Sequence, residues 1–245
     1  MILVGSLFLQ LLPHAMQAWR EWPRPGFQTS GRAVLEKPDG ECVKIQYLIY
    51  LPQNYSPPRR SPILLYLHGA GERGSDLTKV LRGGPPGLIA KGREFPLIVV
   101  SPQCPLGASW DSQQLLQLID HIGERFTIDP DRIYVGGFSM GAFGTWDLAS
   151  TAPERFAAIV PVAGGGHTTS AERLIKLPIW AFHGANDRTV PLAGSVNLIH
   201  AIRELGGRAT LTVYDGMGHD TGDKTFCRDD LYEWLLMHRR PANDK

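Results

Sequence analysis

A serine flanked by glycines at two-residue spacing, Gly137-Phe138-Ser139-Met140-Gly141, follows the β-branched run Ile133 to Val135 and precedes a helical pattern that starts at Met140. A serine held on a sharp turn between strand and helix leaves no room for neighbouring side chains, and Gly137 and Gly141 supply that room. The Met140 N–H would then lie at a helix start, where unpaired donors and the helix dipole favour developing negative charge. Two glycines around a serine occur by chance in many chains. The strand-to-helix setting is what favours Ser139 as a nucleophile over a structural turn.

A serine hydroxyl is a poor nucleophile at neutral pH; it needs a base, and the base needs a carboxylate to orient it. Asp187, in His183-Gly184-Ala185-Asn186-Asp187, and His219, in Asp215-Gly216-Met217-Gly218-His219, each follow an apolar run and stand after Ser139 in the order Ser, Asp, His. His183 ends a buried run and reads as a structural histidine. His167 has no strand-end carboxylate paired with it. Asp215 and Asp220 neighbour the base and more simply shape its loop, and Asp147 falls inside the helix after the serine. The spacing of histidines matches no metal motif such as H-E-x-x-H, so neither a metal nor a cofactor is expected.

A second donor for an oxyanion should come from His68-Gly69-Ala70-Gly71-Glu72-Arg73-Gly74, with Ala70 N–H the first choice and Gly71 the nearest alternative. Gly69, Gly71 and Gly74 also satisfy G-x-G-x-x-G, which raises a dinucleotide-binding oxidoreductase as a rival. That fingerprint should open a continuous helix, whereas Ser75 to Leu81 reaches barely two turns before Gly83-Gly84-Pro85-Pro86-Gly87, read here as loop punctuation.

These segments require elements that end beside one another. Val43 to Leu51 alternates as an early antiparallel strand, and Ile63 to Leu67, Leu97 to Val100, Ile133 to Val135, Ala158 to Val162, Ile179 to Phe182 and Thr210 to Tyr214 read as short buried strands. Helical patterns occupy Gln113 to Phe126, Met140 to Ser150, Ala193 to Leu205 and Phe226 to His238. Alternation of this kind implies an α/β fold with a mostly parallel central sheet and helices on both faces, in which ligands gather at the C-terminal strand ends.

A chain of 245 residues suits one such domain, here 19–245, and no linker divides it. A net charge of +1 leaves no electrostatic footprint for nucleic acid, and the pairs Arg59-Arg60 and Arg239-Arg240 read as solvated surface. Cys42, Cys104 and Cys227 form neither a disulfide framework nor a C-x-x-C pair; one disulfide with a spare thiol stays open. Met1 to Leu12 is apolar, of signal-peptide length, and too short to span a bilayer as an anchor. No Lys or Arg precedes it and Met16 offers another start, so residues 1–18 read either as a signal peptide of a secreted or periplasmic protein or as a disordered N-terminus of a cytoplasmic one.

Taken together, His68-Gly69-Ala70-Gly71-Glu72-Arg73-Gly74, Ser101-Pro102-Gln103-Cys104-Pro105 followed by Trp110-Asp111, Gly137 to Ala142, and His183 to Asp187 resemble the α/β-hydrolase esterases of the polyhydroxybutyrate-depolymerase, feruloyl-esterase and dienelactone-hydrolase-like groups. Some members of these groups are described as predicted peptidases. The resemblance covers the chain from about Val43 to His238. It implies Ser139, Asp187 and His219 as nucleophile, acid and base, Ala70 and Met140 as oxyanion donors, and Trp110 near the substrate pocket or as plain core. Dienelactone hydrolases use a cysteine where this chain has Ser139, so only their fold carries over. The short connection between Val162 and Ile179 leaves no room for a large cap domain, which implies an open site for a small-molecule ester with small to medium acyl groups. A serine peptidase on the same three residues and a non-catalytic binding module are the alternatives.

Overall fold

The computed structural model describes residues 23–37 and 39–240. The leader reading of residues 1–18 lies outside them. Eight strands form one sheet: β1 Gln28–Glu36, β2 Cys42–Tyr50, β3 Ser61–Leu67, β4 Ile98–Pro102, β5 Ile128–Phe138, β6 Ala158–Val162, β7 Ile179–Gly184 and β8 Ala209–Tyr214. Their spatial order is β1-β2-β4-β3-β5-β6-β7-β8. β2 runs antiparallel to both β1 and β4, and every pairing from β4 to β8 is parallel. This is the mostly parallel α/β sheet that the segment order implies, and the α/β-hydrolase fold that the resemblance implies.

The central strands are apolar without alternation because helices cover both faces: all seven residues of β3 and all five of β6 are buried. On one face lie α2 Ser112–Arg125, α3 Met140–Thr151, the short α4 Ala171–Leu174 and α5 Ala193–Glu204, packed over Leu65, Val135, Ile159 and Ala181. On the other lie α1 Gly84–Ala90, α6 Gly222–Phe226 and α7 Asp229–Met237, packed over Leu64, Tyr134, Val160 and Phe182. α2 starts where Asp111 accepts a hydrogen bond from Gln114 N at 2.8 Å. Of the stripe Leu115, Leu116, Leu118, Ile119 and Ile122 that the sequence presents at 3.6-residue spacing, it buries all but Leu116, which is partly buried.

Three elements differ from the sequence reading. β1 was not anticipated: Gln28–Glu36 is mostly polar and buries only Ala33 and Leu35, its register set by full pairing from Gln28 opposite Tyr50 to Glu36 opposite Cys42. The segment Gly83 to Gly87 is not a loop, because α1 begins there. Its prolines occupy the first turn, where a missing N–H leaves no helical bond unmade. The last helix is broken at Cys227 and Arg228, and Arg228 is extended with φ −74° and ψ 130°.

The cysteines are three free thiols, with Cys104 buried and Cys42 and Cys227 exposed. Arg239 and Arg240 are more than solvated surface. Arg240 donates from its backbone N to Asp131 O at 2.8 Å and from its guanidinium to Asp131 Oδ1 at 3.1 Å, and Arg239 reaches Asp129 at 3.2 Å. The chain is thereby strapped to the start of β5. Between β6 and β7 stand only a 3-10 turn, Thr168–Ser170, and α4, so no cap domain covers the sheet there.

Leu118 is fully buried whereas Leu116 on the adjacent face is only partly so. Leu118→Ala is expected to cost roughly 3 kcal/mol and Leu116→Ala roughly 1 kcal/mol or less. Urea unfolding at constant m-value measures both, and equal losses would contradict the face assigned to α2.

Candidate active site

β5 ends at Phe138 and α3 begins at Met140, so Ser139 alone makes the turn, with φ 54° and ψ −116°. A non-glycine residue in that region carries strain of about 1–3 kcal/mol and persists only where its surroundings hold it. Here Ser139 N donates to Val162 O at 2.9 Å, and Ser139 O accepts from Ala142 N at 2.8 Å. The glycines supply the clearance. A Cβ on Gly141 would stand 1.9 Å from Leu67 O, and one on Gly137 would stand 2.4 Å from Gly141 O.

The loops after β7 and β8 bring the other two residues in. His219 Nε2 lies 2.8 Å from Ser139 Oγ, and His219 Nδ1 lies 2.7 Å from Asp187 Oδ2. Asp187 Oδ1 accepts from the backbone N of Thr189 and of Val190, each at 2.9 Å. Burial alone would push this carboxyl up, but the hydrogen bonds from His219, Val190 and Thr189 outweigh it and hold it below the usual carboxylate range. The Asp187 side chain is fully covered while His219 keeps 19% of its side chain exposed.

His183, expected to be structural, is fully buried behind the acid. Its Nε2 stands 3.2 Å from Asp187 Oδ2 and 2.9 Å from Val190 O, and its Nδ1 meets Ser195 Oγ at 2.8 Å. With oxygen acceptors around it, Nε2 carries hydrogen. Asp187 Oδ2 is therefore shared by two imidazoles, His219 Nδ1 at 2.7 Å and His183 Nε2 at 3.2 Å. The rival carboxylates Asp147, Asp215 and Asp220 make no hydrogen bond to His219 among the described residues.

The loop after β3 forms a 3-10 turn, Ala70–Glu72, instead of opening a long helix, which removes the structural context of the dinucleotide fingerprint. Ala70 opens this turn and Met140 opens α3, so neither N–H is consumed by a preceding turn of its own helix. Arg73 Nε contacts Met140 Sδ at 3.1 Å and ties the two segments together.

His68 anchors this loop, a role sequence reasoning missed because its partner lies across the sheet. Nδ1 donates to Gly69 O at 2.6 Å, and Nε2 accepts from Cys104 N at 3.0 Å, a pairing that requires the neutral ring. Burial pushes its pKa down to about 4. Trp110 braces the same residue: its Nε1 donates to His68 O at 3.2 Å, its ring centroid is 4.8 Å from that of His68, and it lies against Gly144. A cavity near the end of β5 has Phe138 in its wall but neither Ser139 nor His219, and Trp110 is not among its lining residues. That cavity, of about 240 Å³, is bounded instead by Tyr66, His68, Glu72, Arg82, Phe138 and Asp223 among others.

Residues 107–234, just over half of the chain, match the family described as phospholipase/carboxylesterase. The chain belongs to that family. Among solved structures, a thermostable esterase is 30% identical with a TM-score of 0.74, over 86% of this chain and 63% of that one. The bifunctional acetylxylan esterase/xylanase XynS20E of Neocallimastix patriciarum is 32% identical over 146 residues, covering 57% of this chain and 21% of its own. The poly(3-hydroxyalkanoate) depolymerase C of Paucimonas lemoignei is 30% identical over 125 residues, covering 44% of this chain and 29% of its own. This carboxylesterase-family chain thus spans less than a third of the length of those two curated relatives. Among the described residues, no helix is long and apolar enough to cross a membrane, and no cluster of His, Cys, Asp or Glu could hold a metal ion.

An unfolded histidine takes its proton near pH 6.5, whereas folded His68 resists it down to about 4. The unfolded state therefore binds the proton first as pH falls. Stability from this residue is full above pH 6.5, declines through the interval and stops declining below about pH 4, a loss of about 3 kcal/mol in all. His68→Gln is expected to be less stable at pH 7 yet to lose less between pH 7 and 4. Urea unfolding across that range reads the difference, and equal pH slopes for the two proteins would contradict it.

Proposed function

We propose that the chain hydrolyses carboxylic esters through a covalent acyl-enzyme on Ser139. The observation that carries this reading is the hydrogen-bond chain from Ser139 Oγ through both nitrogens of His219 to Asp187. His219 Nε2 takes the seryl proton as Oγ attacks the ester carbonyl, and Asp187 balances the positive charge this places on the imidazole. The N–H groups of Ala70 and Met140 hold the tetrahedral oxyanion. His219 then returns its proton to the leaving alkoxide, and the alcohol departs. A water, deprotonated by the same nitrogen, attacks the acyl carbon, and the proton goes back to Ser139 as the carboxylic acid leaves.

Strain at Ser139 supports the same reading, since a purely structural turn at this point would be met more cheaply by glycine. The short connection between β6 and β7 favours small and medium acyl esters that enter without displacing a lid.

Ser139→Ala is expected to lower turnover of p-nitrophenyl acetate by roughly 10⁴-fold or more and to abolish labelling by a fluorophosphonate, and Asp187→Asn to lower turnover by a comparable factor. Retained turnover in Ser139→Ala would sink the assignment. A peptide amide turned over faster than the ester would instead make the chain a peptidase on the same residues. Failure of the unaltered protein to react with the fluorophosphonate would favour a binding module.

A further inference from the structure

The acyl-transfer steps leave His183 without a task, yet it is fully buried and in contact with the acid. Its Nε2 faces two oxygens, Val190 O at 2.9 Å and Asp187 Oδ2 at 3.2 Å. Val190 N in turn donates to Asp187 Oδ1 at 2.9 Å. One imidazole therefore bears on both carboxylate oxygens, on Oδ2 directly and on Oδ1 through the backbone of Val190.

The other side of the same ring leads back to the nucleophile. Ser195, 2% exposed in the first turn of α5, bridges with its Oγ to His183 Nδ1 at 2.8 Å and to Gly164 O at 2.5 Å. Gly164 lies against the nucleophile turn: a Cβ on it would stand 3.2 Å from Ser139 O. Ala163, just before it, has φ 54°, and with Ser139 it makes up the non-glycine residues of positive φ among the described residues. Ala163 N donates to Phe182 O, beside His183, at 2.8 Å, and Val162 O accepts from Ser139 N at 2.9 Å. The contacts close into a ring. It runs from Ser139 Oγ through His219, Asp187, His183 and Ser195 to Gly164 O, then along the chain to Val162 and back to Ser139 N. Strained backbone persists only where its surroundings hold it, and both strained residues stand in this ring.

Filling space at this point would take no more than an apolar side chain. A buried imidazole instead needs partners for two nitrogens, and here the partners on each side lead to a reacting residue. Resting on the ester-hydrolase reading above, we infer that His183 and Ser195 are positioning residues that hold Asp187 in register with the Ser139 turn. They touch neither the substrate nor the transferred proton. They keep the carboxylate where His219 needs it while that ring gains and returns its proton.

Turnover of p-nitrophenyl acetate, counted per site labelled to completion by a fluorophosphonate, tests this. Ser195→Ala is expected to lower kcat by about 10-fold and His183→Leu by about 100-fold, with KM changed by less than about 2-fold, because a displaced acid slows the chemistry and leaves binding alone. His183→Gln keeps an amide that can donate to Val190 O, and is expected to recover most of the His183→Leu loss. The deciding comparison is made in Asp187→Asn. Residues that act through the carboxylate have little left to act on there, so adding Ser195→Ala is expected to lower kcat by less than about 2-fold. Equal losses in both backgrounds, a loss in KM instead of kcat, or full kcat in both Ser195→Ala and His183→Leu would overturn the inference. Any of these with the unaltered protein still labelled removes the positioning role alone, whereas no labelling of the unaltered protein removes the ester-hydrolase reading and this inference with it.

Discussion

A close approach of backbone to backbone, where the first turn of α3 crosses the end of β3, is the constraint from which the rest of the site follows. Leu67 O lies where any side chain on Gly141 would have to be, and Gly137 is equally closed in by Gly141 O. Thr145 Oγ1 occupies the same carbonyl of Gly141 from within the helix at 2.8 Å. Because the strand that leads into the Ala70 turn and the helix that follows Ser139 meet through glycine backbone, packing limits how far Ser139 and Ala70 can shift independently. In the proposed mechanism, packing density thus adds to the hydrogen bonds at Ser139 in pre-organising the Ala70 donor and the Ser139 nucleophile.

Three imidazoles at the strand ends divide their tasks by what surrounds them. His68 uses one nitrogen as a donor and the other as an acceptor to backbone, joining the turns after β3 and β4 as a peptide group would. His183 is sealed behind Asp187 and Ser195. His219 alone has one nitrogen on a carboxylate, the other on a hydroxyl, and part of its ring open to solvent. Residue type is the same in all three cases, and only partners and burial distinguish the imidazole proposed to carry a proton from the two held as structural pins.

What could be read from the sequence was what depends on neighbours in the chain. The elbow glycines, the strand-end loops of Asp187 and His219, and the apolar stripe of α2 are local patterns, and the structure places them as the pattern requires. β1 was invisible because its partner supplies most of its reason to be a strand: it buries two apolar side chains and otherwise depends on β2. α1 was hidden by prolines whose meaning changes with position in a helix. The cavity was illegible for a stronger reason, since Tyr66, Glu72, Arg82 and Asp223 are unremarkable one by one and meet only through the crossing of distant segments. Likewise, nothing near His68 in the chain announces Cys104 N as its partner.

The strap formed by Arg239 and Arg240 has a geometric consequence. It grips Asp129 and Asp131 at the start of β5, whereas Ser139 follows that strand's other end. Seven residues, Arg132 to Phe138, separate Asp131 from Ser139, a span of roughly 25 Å at about 3.3 Å per residue. Anything tethered at residue 240, whether a bead surface, a carrier or a fused module, is therefore held against the blunt underside of the sheet. The strand ends that carry Ser139, Asp187 and His219 then lie at the opposite edge of the sheet.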